Sequence, residues 1–147
     1  MKVKDICSCR TVTVTPQDTI AEAARKMAEH NVGALPVVDY SGRALGIITD
    51  RDITIRATAQ GKDPERYSVN DIMSGNISCV CLDADVTSAT KIMSEAKVRR
   101  LPVVDDGKVV GFLSLGDIAS VGKFDTEAGK TLCDISCHCA DKKGKKE

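Results

Sequence analysis

The chain has 147 residues, 42% of them hydrophobic, with no Trp, two Phe, two Tyr and a formal net charge of zero. That allows one compact domain or two small coupled units, with a core of Val, Ile, Leu and Ala. A neutral balance argues against a dedicated nucleic-acid binder, which needs basic surface to release counterions. No apolar run approaches the roughly 18 residues of a membrane span.

The start, Met1-Lys2-Val3-Lys4-Asp5, lacks the apolar stretch of a signal peptide. A cytoplasmic setting is therefore the expectation. Seven cysteines, an odd number, suit a reducing compartment better than a disulfide framework.

In chain order, Thr11 to Thr15 reads as a short extended segment. Thr19-x-x-Glu22 has capping-box spacing, and Ile20, Ala23, Ala24 and Met27 then share one helical face. His30 falls near the end of that helix, where the dipole favours it. Ala34 to Val38 is an apolar strand, Asp39-Tyr40-Ser41-Gly42 a turn, Ala44 to Thr49 a second strand, and Asp50 to about Ala59 a helix. Gln60 to Ser68, polar and containing Gly61 and Pro64, is a linker. The pattern then repeats: an extended segment at Ile77 to Cys81, an N-cap at Asp85, a helical face with Val86, Ala89 and Met93, and a hairpin turned by Asp105-Asp106-Gly107. Beyond Val121 the likeness stops. Phe124 to Ser136 suggests one more helix or a docked arm, and Asp141 to Glu147 a charged, disordered tail.

The repetition is literal in places. Leu35-Pro-Val-Val-Asp39 recurs as Leu101-Pro-Val-Val-Asp105, 66 residues on, and Val3, Asp5 and Ile6 match Val69, Asp71 and Ile72. The domain expectation is one unit at 3–59, a linker at 60–68, a second unit at 69–121 and an extension at 122–147. Two such strand-helix-strand-strand-helix units cover their sheets by packing together.

Gly46-x-x-Thr49-x-x-Asp52 and Gly111-x-x-Ser114-x-x-Asp117 are the candidate ligand motifs. Each sets a hydroxyl at a strand end and a carboxylate in the next helical turn. Such a carboxylate can accept from vicinal hydroxyls, as on a ribose, and the hydroxyl with the helix start can meet a phosphate. Helix capping alone explains the same residues without any ligand.

With the paired Leu-Pro-Val-Val-Asp strings and Thr49-Asp50-Arg51-Asp52 beside Ser114-Leu115-Gly116-Asp117, residues 3–121 resemble a tandem pair of cystathionine-beta-synthase (CBS) domains. The resemblance implies an α/β fold of two CBS units (β-α-β-β-α) about a pseudo-twofold axis. It implies adenosyl ligands, such as an adenine nucleotide or an S-adenosylmethionine-type molecule, with ribose and phosphate on Thr49 and Asp52 in one cleft and on Ser114 and Asp117 in the other. The base would lie against Thr15, Val32 and Ala34, or Cys81, Val98 and Arg100. Family members usually regulate an attached or partner protein, and a homodimer is expected.

Arg99 and Arg100 stand where the first copy has Gly33 and Ala34. In such pairs this position can face the phosphates of a ligand whose ribose the other repeat holds. The arginines, with Arg51, are thus expected to serve the Thr49/Asp52 cleft, since guanidinium groups donate paired bonds to phosphate. They are equally well explained as solvated surface.

Three cysteine clusters remain: Cys7-x-Cys9, Cys79-x-Cys81 and Cys133-x-x-x-Cys137-His138-Cys139. Thiolates with a histidine can hold zinc or an iron–sulfur cluster, and Cys133, Cys137, His138 and Cys139 are the candidate set. None has the Cys-x-x-Cys spacing of a zinc knuckle, so apolar fillers and tail thiols are the simpler reading. There is no phosphate loop ending in Gly-Lys-Ser/Thr and no Gly-x-Ser-x-Gly elbow. The sequence therefore reads as a non-enzymatic sensor of an adenosyl ligand, needing no fixed cofactor and acting on a partner protein. Its rivals are a metal or redox module and a dimerisation module with empty clefts.

Overall fold

A helix starts most firmly where a polar side chain meets its first free N–H groups. At α1 (Ile20–His30), Thr19 Oγ1 accepts from Glu22 N at 3.1 Å and Glu22 Oε2 accepts from Thr19 N at 2.9 Å, the reciprocal box the spacing predicts. Its counterpart, α4 (Val86–Ala96), has Asp85 at the N-cap but no side-chain cap bond; that carboxylate pairs with Lys2 Nζ at 3.0 Å. Both helices end on left-handed residues, Asn31 (φ 52°) and Lys97 (φ 58°), so the 66-residue repeat extends to backbone conformation. The computed structural model describes the backbone of residues 1–9 and 11–144 and the side chains of 1–9 and 11–137.

The strands also match. β1 (Ala34–Val38) and β2 (Ala44–Thr49) are antiparallel, with Ala34 opposite Thr49. β3 (Val80–Cys81), β4 (Arg100–Asp105) and β5 (Lys108–Ser114) form a sheet in that order, β3 parallel to β4. The first hairpin turns on Asp39, whose Oδ1 accepts from Ser41 N and Arg43 N. The second turns on Asp106 (φ 48°) and Gly107 (φ 77°), the two positive φ values of a tight hairpin. The opening extended segments are shorter than the sequence suggests. Thr11 to Thr15 supplies only a parallel bridge from Val14 to Val37, and Ile77 to Cys81 only the two residues of β3.

After β2 the chain does not form the single regular helix expected from Asp50 to Ala59. One turn, α2 (Asp50–Asp52), opens into a π-helical stretch over Ile53–Ala57 and a 3-10 turn over Thr58–Gln60. Thr54 Oγ1 donates to Asp50 O at 3.1 Å, a side-chain bond that competes with the helical ladder. α3 (Val69–Ile72) follows the linker, and α5 (Leu115–Ala119) follows β5. The last helix, α6, runs unbroken over Asp125–Gly144. It overtakes the expected disordered tail by four residues, and residues 145–147 lie outside the described chain.

The chain divides into two compact units that are not the two sequence repeats. One joins the N-terminal arm to residues 78–105 and the chain from Val110 on; the other joins 11–77 to 106–109. In the first, Val3 is fully buried with Val80, Val86, Leu101 and Leu113. In the second, Val69 and Ile72 are buried with Val14, Ile20, Leu35 and Ile48. The backbone bonds are equivalent: Val3 N to Ala84 O at 2.9 Å, and Val69 N to Asp18 O at 2.8 Å. So are the sheet edges, where Ser8 pairs with Phe112 and Ser74 with Ile47. Each repeat's opening segment therefore completes the core of the other repeat. Among the described residues, no helix is long and apolar enough to cross a membrane.

Candidate functional site

The two motifs fold into the same local device. Thr49 N donates to Asp52 Oδ2 at 2.9 Å, and Asp52 N donates to Thr49 Oγ1 at 3.1 Å. Ser114 N donates to Asp117 Oδ2 at 2.8 Å, and Asp117 N to Ser114 Oγ at 3.1 Å. These are capping boxes with Asp at the third helical position. The capping explanation thus accounts for one oxygen of each carboxylate and leaves the other to be explained. Asp52 Oδ1 lies 3.9 Å from Arg56 Nε, and the Asp52 side chain is only 15% exposed. Arg56, which also donates from Nη1 to Ile72 O at 3.0 Å, escaped the sequence reading. Its spacing of four from Asp52 on a helix was the available signal.

Around Thr49 and Asp52 the structure gathers some of the expected residues. Ala34 is buried and sits directly opposite Thr49, and Asp50 N donates to Gly33 O at 2.9 Å, tying the helix start to β1. Val32 is 41% exposed and Arg51 is exposed. Thr15 is not brought to this end. Val38 N donates to Val14 O, which sets Thr15 level with Val38, about 13 Å along the strand from Ala34 at 3.3 Å per residue. Its amide donates to Asp18 Oδ2 at 2.9 Å.

The other unit repeats the layout with different chemistry. Cys81 is level with Val104, again at the far end of the strand, and Val98 is packed against the core. Arg99 and Arg100 are exposed, and Leu115 N donates to Arg99 O at 2.9 Å. The two arginines line a cavity of about 680 Å³ with Ser114, Leu115 and Gly116. The guanidinium groups expected to serve Thr49 and Asp52 thus border a cavity built on their own strand and on Ser114.

Four of the described cysteines have neighbouring sulfurs. Cys7 and Cys9 flank Ser8 with sulfurs 4.0 Å apart. Cys133 and Cys137, one turn apart on α6, have sulfurs 3.7 Å apart. His138 and Cys139, the rest of the candidate metal set, lie outside the residues with described side chains. Among the described residues no group of three His, Cys, Asp or Glu side chains is placed to hold a metal ion.

Burial, then the bond to Cys9 and the Cys9 and Asp117 charges, push the Cys7 thiol from 9.0 up to about 11. Burial and the Cys81 charge likewise raise Cys79. Only thiolates attack alkylating agents. Iodoacetamide at pH 8 should therefore label exposed Cys9 well before Cys7, with Cys7 labelling rising only as the pH approaches 11. Peptide mass spectrometry of timed samples checks this; equal labelling at pH 8 would show that Cys7 is not shielded. A folded pKa above the unfolded one favours the protonated thiol. Its stabilising contribution is therefore complete below about pH 9 and is lost toward pH 11.

Comparison with known proteins adds the family. The CBS domain profile matches residues 3–57 and 69–123. The CBS domain-containing protein YhcV of Bacillus subtilis is 41% identical over 134 residues, covering 91% of this chain and 94% of that protein. The crystal structure of Hypoxic Response Protein I with two coordinated zinc ions superposes with a TM-score of 0.77 at 33% identity, over 82% of this chain and 98% of that one. Hypoxic response protein 1 of Mycobacterium tuberculosis is 34% identical over 116 residues, covering 79% of this chain and 81% of that protein. The CBS domain pair of protein MJ0100, in complex with 5-methylthioadenosine and S-adenosyl-L-methionine, gives a TM-score of 0.75 at 35% identity, over 85% of this chain and 98% of that one.

Proposed function

Since the chain belongs to the CBS domain family as a tandem pair, we propose that it is a non-enzymatic regulatory module that binds an adenosyl ligand and reports occupancy to a partner protein. The observation that carries the reading is the duplicated box. In both units a half-buried carboxylate spends one oxygen on the backbone amide of a strand-end hydroxyl residue and has a second oxygen that the cap does not use. A helix cap alone has no use for that second acceptor, whereas a ribose diol supplies two donors to it. The ligands in the MJ0100 structure, an adenosyl thioether and an adenosyl sulfonium, support the class.

The units differ in charge. Where one has Gly33 and Ala34, the other has Arg99 and Arg100. The Ser114 unit therefore suits a phosphorylated ligand such as AMP or ATP, and the Thr49 unit a neutral or cationic one. Val32 and Val98 are assigned to the base on family resemblance, Thr15 and Cys81 standing at the far strand ends, and Arg51 to added charge near the ribose. A homodimer in the cytoplasm is the expected working form. Ligand acts on the partner by favouring one conformation, to the extent that it binds that conformation better.

Calorimetric titration of the intact protein with AMP, ATP, adenosine, S-adenosylmethionine and 5-methylthioadenosine tests this. We expect at least one to bind in the micromolar range, and raised salt to weaken AMP more than adenosine, because screening acts on the arginine contacts. No binding by any of the five would sink the adenosyl reading.

A further inference from the structure

The 680 Å³ cavity is closed on one side by a part of the chain that no CBS repeat contains. The family match ends at residue 123, and α6 begins at Asp125. Asp125, Ala128, Gly129 and Leu132 of α6 line the cavity. Their spacing of three, four and seven is one face of a helix, so α6 presents a continuous wall to it. That wall is anchored. Ala128 and Thr131 are buried, Glu127 Oε1 lies 2.6 Å from the buried Thr90 hydroxyl, and Lys97 Nζ donates to Asp134 O at 2.8 Å.

Within this wall Gly129 is out of place as a helix residue. Glycine weakens a helix interior relative to alanine. It is usually kept for a positive φ or for close approach of another backbone. Gly129 has neither: it is absent from the positive-φ residues, and a Cβ built there would meet nothing within 4 Å. Gly129 lines the cavity that Arg99 and Arg100 also line, with open space where a side chain would stand. The lining carries two guanidinium groups against one carboxylate, Asp125, and so has a net positive charge. Its size is that of a small-molecule site.

We infer that α6 is a working wall of a binding cavity for a phosphate-bearing ligand, and that Gly129 keeps the cavity open. Arg99 and Arg100 hold the phosphate, Leu132 and Ala128 supply the apolar side, and Asp125 accepts from a ligand hydroxyl. A ligand seated there touches α6 directly, which makes the C-terminal helix the element that senses it. The inference rests on the proposed adenosyl function only for the organic part of the ligand; the cavity itself requires only the anion.

The test titrates AMP and inorganic pyrophosphate into the full-length wild type, Gly129→Ala, Gly129→Leu and an Arg99→Gln/Arg100→Gln double variant. Gly129→Ala should raise the melting temperature by about 2–4 °C and leave affinity within about twofold of wild type. Gly129→Leu should be at least as stable as wild type and bind both probes at least tenfold more weakly, as should the double variant. Gain of stability with loss of binding is a combination that misfolding cannot produce. If Gly129→Leu fails to fold, the exposed double arginine variant carries the test. Wild-type affinity for AMP in both variants overturns the cavity while leaving the adenosyl reading intact. Pyrophosphate binding that both variants lose, without any AMP binding, upholds the cavity and shows that its ligand is not an adenine nucleotide. If neither probe binds the wild type, the cavity falls, and the adenosyl reading falls with it only if adenosine, S-adenosylmethionine and 5-methylthioadenosine also fail to bind.

Discussion

Gly46→Ala should destabilise the protein by about 3 kcal/mol, and Gly111→Ala by about 2 kcal/mol, through overpacking against backbone and weakened strand hydrogen bonds. A Cβ on Gly46 would lie 2.4 Å from Ser74 O, and one on Gly111 2.7 Å from Ser8 O. Neither obstacle is the end of a flexible side chain. Ser74 exchanges two bonds with Ile47 at 3.0 Å, and Ser8 two with Phe112 at 3.0 Å. Moving aside would break the pairing that holds each opening segment on its sheet. The glycine that heads each Gly-x-x-Thr/Ser-x-x-Asp motif is thus required by the arm crossing it and not by a ligand. Urea titration checks this: the midpoint should fall with the slope unchanged, and a Gly46→Ala midpoint equal to wild type would show that the arm moves freely.

Asp52→Ala and Asp117→Ala should each weaken adenosyl binding in their own unit by about 1.5–3 kcal/mol, the value of hydrogen bonds to a charged acceptor. That is roughly tenfold to a hundredfold in affinity. Because each carboxylate also accepts from the amide of Thr49 or Ser114, the same changes should cost about 1 kcal/mol of stability as lost caps. Asn variants separate the two roles. Asn keeps an oxygen for the backbone amide, so stability should return toward wild type, while the lost charge keeps affinity low. Asn variants that bind as wild type does would mean that the carboxylates serve only as caps.

The two outcomes concern the same short motif, and they show what could be read from it beforehand. Its hydroxyl and carboxylate, three residues apart after an apolar strand, announce a helix start from local chemistry alone, and the box is found in both copies. Turn residues Asp39, Gly42 and Gly107 and the Thr19–Glu22 box were legible for the same reason: each satisfies its partners within four residues. The π-helical stretch after Asp52 was not, because nothing in the pattern of Ile53 to Ala57 marks a wider turn there. Nor was the unbroken run of α6, since the tail's charge reads as solvation.

The sequence by itself determined that the protein is a duplicated α/β unit, where its hairpins turn and where its paired boxes lie. All of these follow from interactions between near neighbours and from a 66-residue self-likeness. Only the tertiary structure decided that Val3 is buried with Leu101 and Val69 with Leu35. The segments at 3–9 and 69–75 carry the same apolar pattern, so either core would satisfy either segment, and nothing local distinguishes the choices. The tertiary structure also brought Arg99, Arg100, Ser114 and Gly129 of α6 to the lining of one cavity. That arrangement depends on how a helix outside the repeat packs against α4 and α5, a contact between distant residues that leaves no periodic trace in the chain.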